Sequence, residues 1–144
     1  MGKLDLIGNV TEQQVIDPVV VTADANGETV DLAEYNDVAF YVLVGESGDT
    51  LSGSVKIELE IQDSPDDSAW TAAADADIIG AVTGTNVGTF AVIDAAAEDD
   101  VVASTRYTGN ERYCRCVVNV TGTHTNGTPI GAVAMKSGSN YRPV

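Results

Sequence analysis

Apolar and polar residues alternate along this chain with a period of two, the signature of β-strands rather than helices. Val55, Ile57, Leu59 and Ile61 alternate with Lys56, Glu58, Glu60 and Gln62, which predicts a half-buried strand with one wet face. Val38, Phe40, Val42 and Val44 alternate with Ala39, Tyr41 and Leu43, so this strand is expected to be buried on both sides. Cys114, Cys116, Val118 and Val120 alternate with Tyr113, Arg115, Val117 and Asn119, which turns an arginine-bearing face to solvent or to a partner. Further strands are expected over Ile16–Thr22, Thr29–Leu32, Ala69–Ala73, Gly88–Ile93, Val101–Thr108 and Ile130–Lys136.

Turn-forming residues separate these runs at short intervals, among them Asn26-Gly27, Gly45–Gly48, Ser64-Pro65-Asp66-Asp67, Gly84–Asn86, Gly109-Asn110 and Asn126-Gly127. Many short strands at this spacing predict an all-β, single-domain β-sandwich or jelly roll. Helix-compatible stretches occur only at Ala72–Ile79 and, more weakly, Ala95–Asp100, both too short for an α/β fold. The expected division is an N-terminal arm over residues 1–14, a sandwich over 15–136 and an extended tail over 137–144.

Charge narrows the partners. The 144 residues carry 22 acids against seven bases, a net charge of −15, with a pI near 4.1. That balance excludes a general nucleic-acid binder and argues against docking on anionic membranes. The 44% apolar content is still enough for an ordinary core. The asymmetry is steep: residues 1–100 hold 21 acids with Lys3 and Lys56, whereas residues 101–144 hold Glu111 against Arg106, Arg112, Arg115, Lys136 and Arg142. The start lacks the long apolar run of a leader, and no apolar run approaches a bilayer span.

Candidate chemistry is sparse. Cys114 and Cys116, two apart on a strand, point the same way and are poorly placed to bond each other, so they read as small apolar residues. The single histidine, His124, lies in a Thr/Gly/Asn loop expected to be a hairpin connection rather than a pocket wall. Acid pairs such as Asp66-Asp67 and Glu98-Asp99-Asp100 fit no calcium loop with its spaced ligands, and Trp70 after a tight turn reads as core or core rim. No cofactor, metal site or catalytic residue is predicted. The densest cluster of function-like residues, Arg106 to Arg115, reads as one hairpin turning at Gly109-Asn110. Arg106, Tyr107, Arg112, Tyr113 and Arg115 on it, with Tyr141 and Arg142 in the tail, are the candidate protein-interface residues. The alternative is a basic hairpin neutralising the chain's own carboxylates.

The run Arg106-Tyr107-x-Gly109-x-x-Arg112-Tyr113-x-Arg115 resembles a pattern in small structural proteins of tailed bacteriophages. So do the strand, acidic turn and Trp of Ile61–Thr71 and the ending Tyr141-Arg142-Pro143-Val144; together the resemblance covers roughly residues 29–144. The Cys-x-Cys departs from the pattern. The resemblance implies a non-enzymatic β-sandwich or jelly-roll virion component of the capsid decoration, or cement, type. Such a protein is made in the bacterial host cytoplasm and sits on the outer surface of the head. It bridges subunits of the major capsid protein there, as a homo-trimer or homo-dimer. A tail, neck or fibre component is the alternative within that class, and a carbohydrate- or cell-surface-binding β-sandwich module, with Trp70 as platform, is the alternative outside it.

Overall fold

A computed structural model describes residues 6–83 and 85–138. After one helical turn, Leu6–Asn9, the strands are β1 (Val10–Val21), β2 (Ala25–Asn26), β3 (Val30–Asp31), β4 (Asp37–Val44), β5 (Lys56–Ser64), β6 (Thr71–Ala72), β7 (Thr89–Ile93), β8 (Val101–Tyr107), β9 (Tyr113–Thr121) and β10 (Thr128–Ser137). They form two antiparallel sheets. One is four-stranded in the order β1-β10-β4-β8; the other runs β2-β9-β5-β6, with β3 also on β9 and β7 also on β5.

Taking β2 with β3 and setting aside the two-residue β6 leaves eight principal strands. Their order is one-eight-three-six in the first sheet and two-seven-four-five in the second. This is the double Greek-key order of a jelly roll. The chain is therefore an all-β sandwich, and apart from β5, which pairs with β6 and β7 after it, its principal strands pass from sheet to sheet instead of pairing with their sequence neighbours.

The core lies between the sheets and comes from the inward half of each alternation. Val38, Phe40, Val42 and Val44 on β4 meet Ile57, Leu59 and Ile61 on β5, with Cys114, Cys116 and Val118 of β9 and Ile130, Ala132 and Ala134 of β10 beside them. Each fully buried Val, Leu, Ile or Phe contributes roughly 1.5–3 kcal/mol relative to exposure. Both cysteines are unpaired and buried, and loss of solvation pushes the Cys116 thiol up to about 12. They behave as small core residues.

Four expectations are corrected. Residues 10–14, assigned to an N-terminal arm, form the start of β1 and pair with β10 from Val10↔Ser137 onward. Of the helix-compatible stretch Ala72–Ile79, only Asp75–Asp77 winds, as a single 3₁₀ turn. The polar face of β5 is not wet: Glu58 is 3% exposed and Glu60 is also buried, because β5 runs between β9 and β7. Lys56 Nζ lies 3.2 Å from Glu58, and Glu60 accepts from Asn119 Nδ2 at 2.7 Å and Gln62 Nε2 at 2.9 Å, so neither carboxylate is left unpartnered. In β4 the reverse holds: Tyr41 and Leu43, expected inside, are exposed.

Candidate functional site

The connection from β8 to β9 decides where the expected arginine cluster goes. β8 pairs with β4 in the four-stranded sheet, whereas β9 pairs with β5 in the other, so Arg106–Arg115 is a crossing between sheets and not a hairpin. The candidate residues are thereby divided. Arg106 lies on the four-stranded sheet, its Nε bonded to Asp37 Oδ1 at 2.6 Å. Tyr107 is 3% exposed and offers no contact surface; its hydroxyl donates to Asp63 Oδ2 at 2.8 Å and accepts from Glu111 N at 3.2 Å. Burial, then the Asp63 hydrogen bond, raise the Tyr107 pKa. A Cβ on Gly109 would overlap the Tyr107 phenol, which explains glycine at that turn.

Of the remaining three, Tyr113 and Arg115 lie on β9 in the second sheet and Arg112 immediately precedes it. Arg112 forks onto Asp31, Nε to Oδ1 at 3.0 Å and Nη2 to Oδ2 at 2.8 Å, and this bond holds the Asp31 carboxyl below its usual range. Its guanidinium also stands 4.8 Å from the Tyr113 ring centre. Arg115 donates twice to Gln62 Oε1, at 3.0 and 2.7 Å, and stacks 4.3 Å over Trp70, so one face of the only Trp is taken by the chain's own cation. Tyr141 and Arg142 lie outside the described residues. The loop of His124, expected to be a hairpin connection, also crosses between sheets, from β9 to β10, and His124 is buried in it: Nε2 is hydrogen-bonded to Thr121 O at 3.2 Å, and Nδ1 stands 3.7 Å from Asp49 Oδ2.

The structure assembles a different site that the sequence reading passed over, on the outer face of the four-stranded sheet. Register sets its rows. Val102 of β8, Leu43 of β4 and Gly131 of β10 lie side by side. The next row is Ser104, Tyr41, Val133 and Gln14, and the third is Arg106, Ala39, Met135 and Glu12. At the other end of β10, Val20 opposes Pro129. The face is thus graded: apolar at the Leu43 end, mixed at the Arg106 end. Val19, Val20, Tyr41, Leu43 and Val102 are all exposed there, Leu43 at 55% and Val102 at 62%. Clustered apolar exposure of this kind marks an interaction surface in a way that scattered single residues do not.

The apolar end is hollow. Gly131, on the inner strand β10, contributes no side chain, and a Cβ there would stand 3.3 Å from Pro18 Cγ. Pro18 and Val20 on one side and Leu43 on the other wall a groove of about 650 Å³ floored by Gly131, Pro129 and Val133. Register irregularities at Gln14/Ile16 and Ile16/Val19 in β1 bend that strand and bring Pro18 over the glycine. The signal was in the sequence, in Val19-Val20, Tyr41, Leu43 and Pro129-x-Gly131, but alternation alone does not say which of two apolar faces is covered.

No protein-family model matches the chain, and no curated protein matches it in sequence. Among solved structures, it is similar to the SPBc2 prophage-derived protein YomS, with TM-score 0.37 and 14% identity, covering 90% of this chain and 94% of that one. It is similar to a chain of the capsid of Ralstonia phage GP4, with TM-score 0.41 and 14% identity, covering 97% and 91%. It is also similar to part of the Clostridium thermocellum xylanase 10B CBM22-1–GH10 modules, with TM-score 0.43 and 11% identity, covering 95% of this chain and 27% of that one.

Proposed function

We propose that this chain is a non-enzymatic structural component of a tailed-phage particle, a decoration protein on the outside of the assembled head that bridges subunits of the major capsid protein. The observation that carries this reading is the apolar face of the four-stranded sheet that no described residue covers, from Pro18 and Val20 across Gly131 and Leu43 to Val102. A face of this kind on an otherwise acidic surface is suited to burial against another protein. The resemblance of the Arg106–Arg115 and Ile61–Thr71 segments to small phage structural proteins supports the same reading. A shell component gains from a rigid scaffold, and many copies of a modest contact stabilise an assembly by mass action. The Asp63–Tyr107 tie between the sheets gives the scaffold that rigidity.

The test is the composition of purified particles from cells that produce the chain. The chain is expected at a near-stoichiometric ratio to the major capsid protein, accessible to protease or antibody from outside. Particles that lack it, or that carry it in the tail alone, would overturn the reading.

A further inference from the structure

The groove on the four-stranded sheet also carries a charge pattern that specifies its occupant, given the reading above that this face meets another protein. Its surroundings are acidic. Gln14, which lines it, donates to Asp17 and so holds that carboxylate at the edge. Glu46 follows the lining residue Gly45, and Asp99 accepts from Ser47 N at 2.9 Å in the same loop. The bases of this sheet, Arg106 and Lys136, lie at the far end, opposite Ala39 and Val38. Both are engaged, Arg106 by Asp37 and Lys136 by Gln13 and the Tyr35 ring.

The width of the groove is set by strand spacing. Its walls stand on β1 and β4 with only β10 between them, so their backbones are roughly 10 Å apart. An α-helix with side chains is itself about 10–12 Å across and does not fit between walls that carry Pro18 and Leu43. An extended segment fits. A second copy applied face to face would set the acidic edges at Asp17 and Glu46 against the acidic edges of its mate, because a two-fold interface brings the same patch together twice.

We infer that the groove takes an extended segment of a partner protein, one that presents small apolar side chains flanked by Lys or Arg. The apolar side chains fill the hollow over Gly131, and the flanking cations reach Asp17 and Glu46. Binding is accordingly sensitive to ionic strength.

Titration of the full chain with three synthetic peptides tests this. The peptides share a Val-Pro-Val centre and differ only in flanks of Lys, Ser or Glu; backbone amide shifts are followed at low and at high salt. The Lys-flanked peptide is expected to bind at least about ten-fold more tightly than the Glu-flanked one at low salt, with the gap closing at high salt. Shifts should centre on β10 and Leu43. Leu43→Gln should abolish binding of all three, and Asp17→Asn should lower the preference for Lys flanks while sparing the Ser-flanked peptide. Equal affinities, no binding, or shifts elsewhere would overturn the inference. So would concentration-dependent dimerisation of the free chain that Leu43→Gln removes, which would put a second copy in the groove. If the peptides bind as expected but particles lack the chain, the particle reading falls and this one stands. If particles carry the chain and Leu43→Gln leaves that unchanged, this one falls.

Discussion

The Tyr107 hydroxyl donates to Asp63 Oδ2 at 2.8 Å, joining β8 in one sheet to β5 in the other. The two residues are 44 apart in sequence, and both are buried. A buried carboxylate that loses its donor keeps the full cost of its desolvation. Tyr107→Phe is therefore expected to lower stability by about 1–3 kcal/mol in urea unfolding, with little change in the strand content seen by circular dichroism. A neutral result would mean that Asp63 is held by Thr71 alone, whose hydroxyl lies 3.4 Å away.

Arg112, just before β9, and Arg115 on it both face other residues of the chain. Arg112→Ala removes an exposed, solvent-screened fork to Asp31 and should cost little in urea unfolding. Arg115→Ala, which also loses the Trp70 stack, should cost about as much and should shift the Trp70 emission. Because Arg115 lies on the sheet opposite the groove and Arg112 at the entry to it, neither change should alter peptide binding; a loss of affinity would move the contact surface to β9.

Acid should destabilise the fold. Asp66 accepts the backbone N–H groups of Ala69 and Ser68, and these hold its pKa at about 2 against an ordinary 3.8. A depressed carboxylate contributes stability above its unfolded pKa and loses it as pH falls through the folded one. Asp31, lowered by Arg112, and Asp49, lowered by the amide of Asn126 first, act in the same direction. The melting temperature is expected to fall between about pH 4 and pH 2, and Asp66→Asn should flatten that limb.

Asp49 organises the loop that carries His124. Its carboxylate accepts from Thr125 N at 3.1 Å, Asn126 N at 3.0 Å and Gly127 N at 2.7 Å. Asp49→Ala should raise amide exchange at residues 125–127 by about ten-fold or more, leaving β4 and β10 protected. Unchanged exchange would show that burial of His124 suffices to hold the loop.

The strands themselves were readable because a two-residue period survives any topology. β4, β5, β7, β8, β9 and β10 fall within a residue or two of where alternation and turn residues put them. Pairing was not readable. Thr108–Glu111 has the turn chemistry of a hairpin, but the same residues serve a chain that crosses to the other sheet. Faces were half readable. Glu58 and Glu60 look like solvent residues, yet a central strand with Lys56, Gln62 and Asn119 at hand keeps them satisfied inside. Tyr41 and Leu43 look like core, yet lie on a sheet face that no other element of the described chain covers. The groove depended on that last distinction, and alternation is blind to it.

The first and last long strands share one ladder, with Val10 beside Ser137 and Ser137 beside Asp37, at the end of the sheet away from Leu43. A tag or cargo domain fused directly at Val10 or at Ser137 would therefore ride on the same end of the sandwich, away from Leu43. The same adjacency would let a short linker join Ser137 directly to Val10, so that the chain could be reopened at a loop of choice without unmaking the sheet.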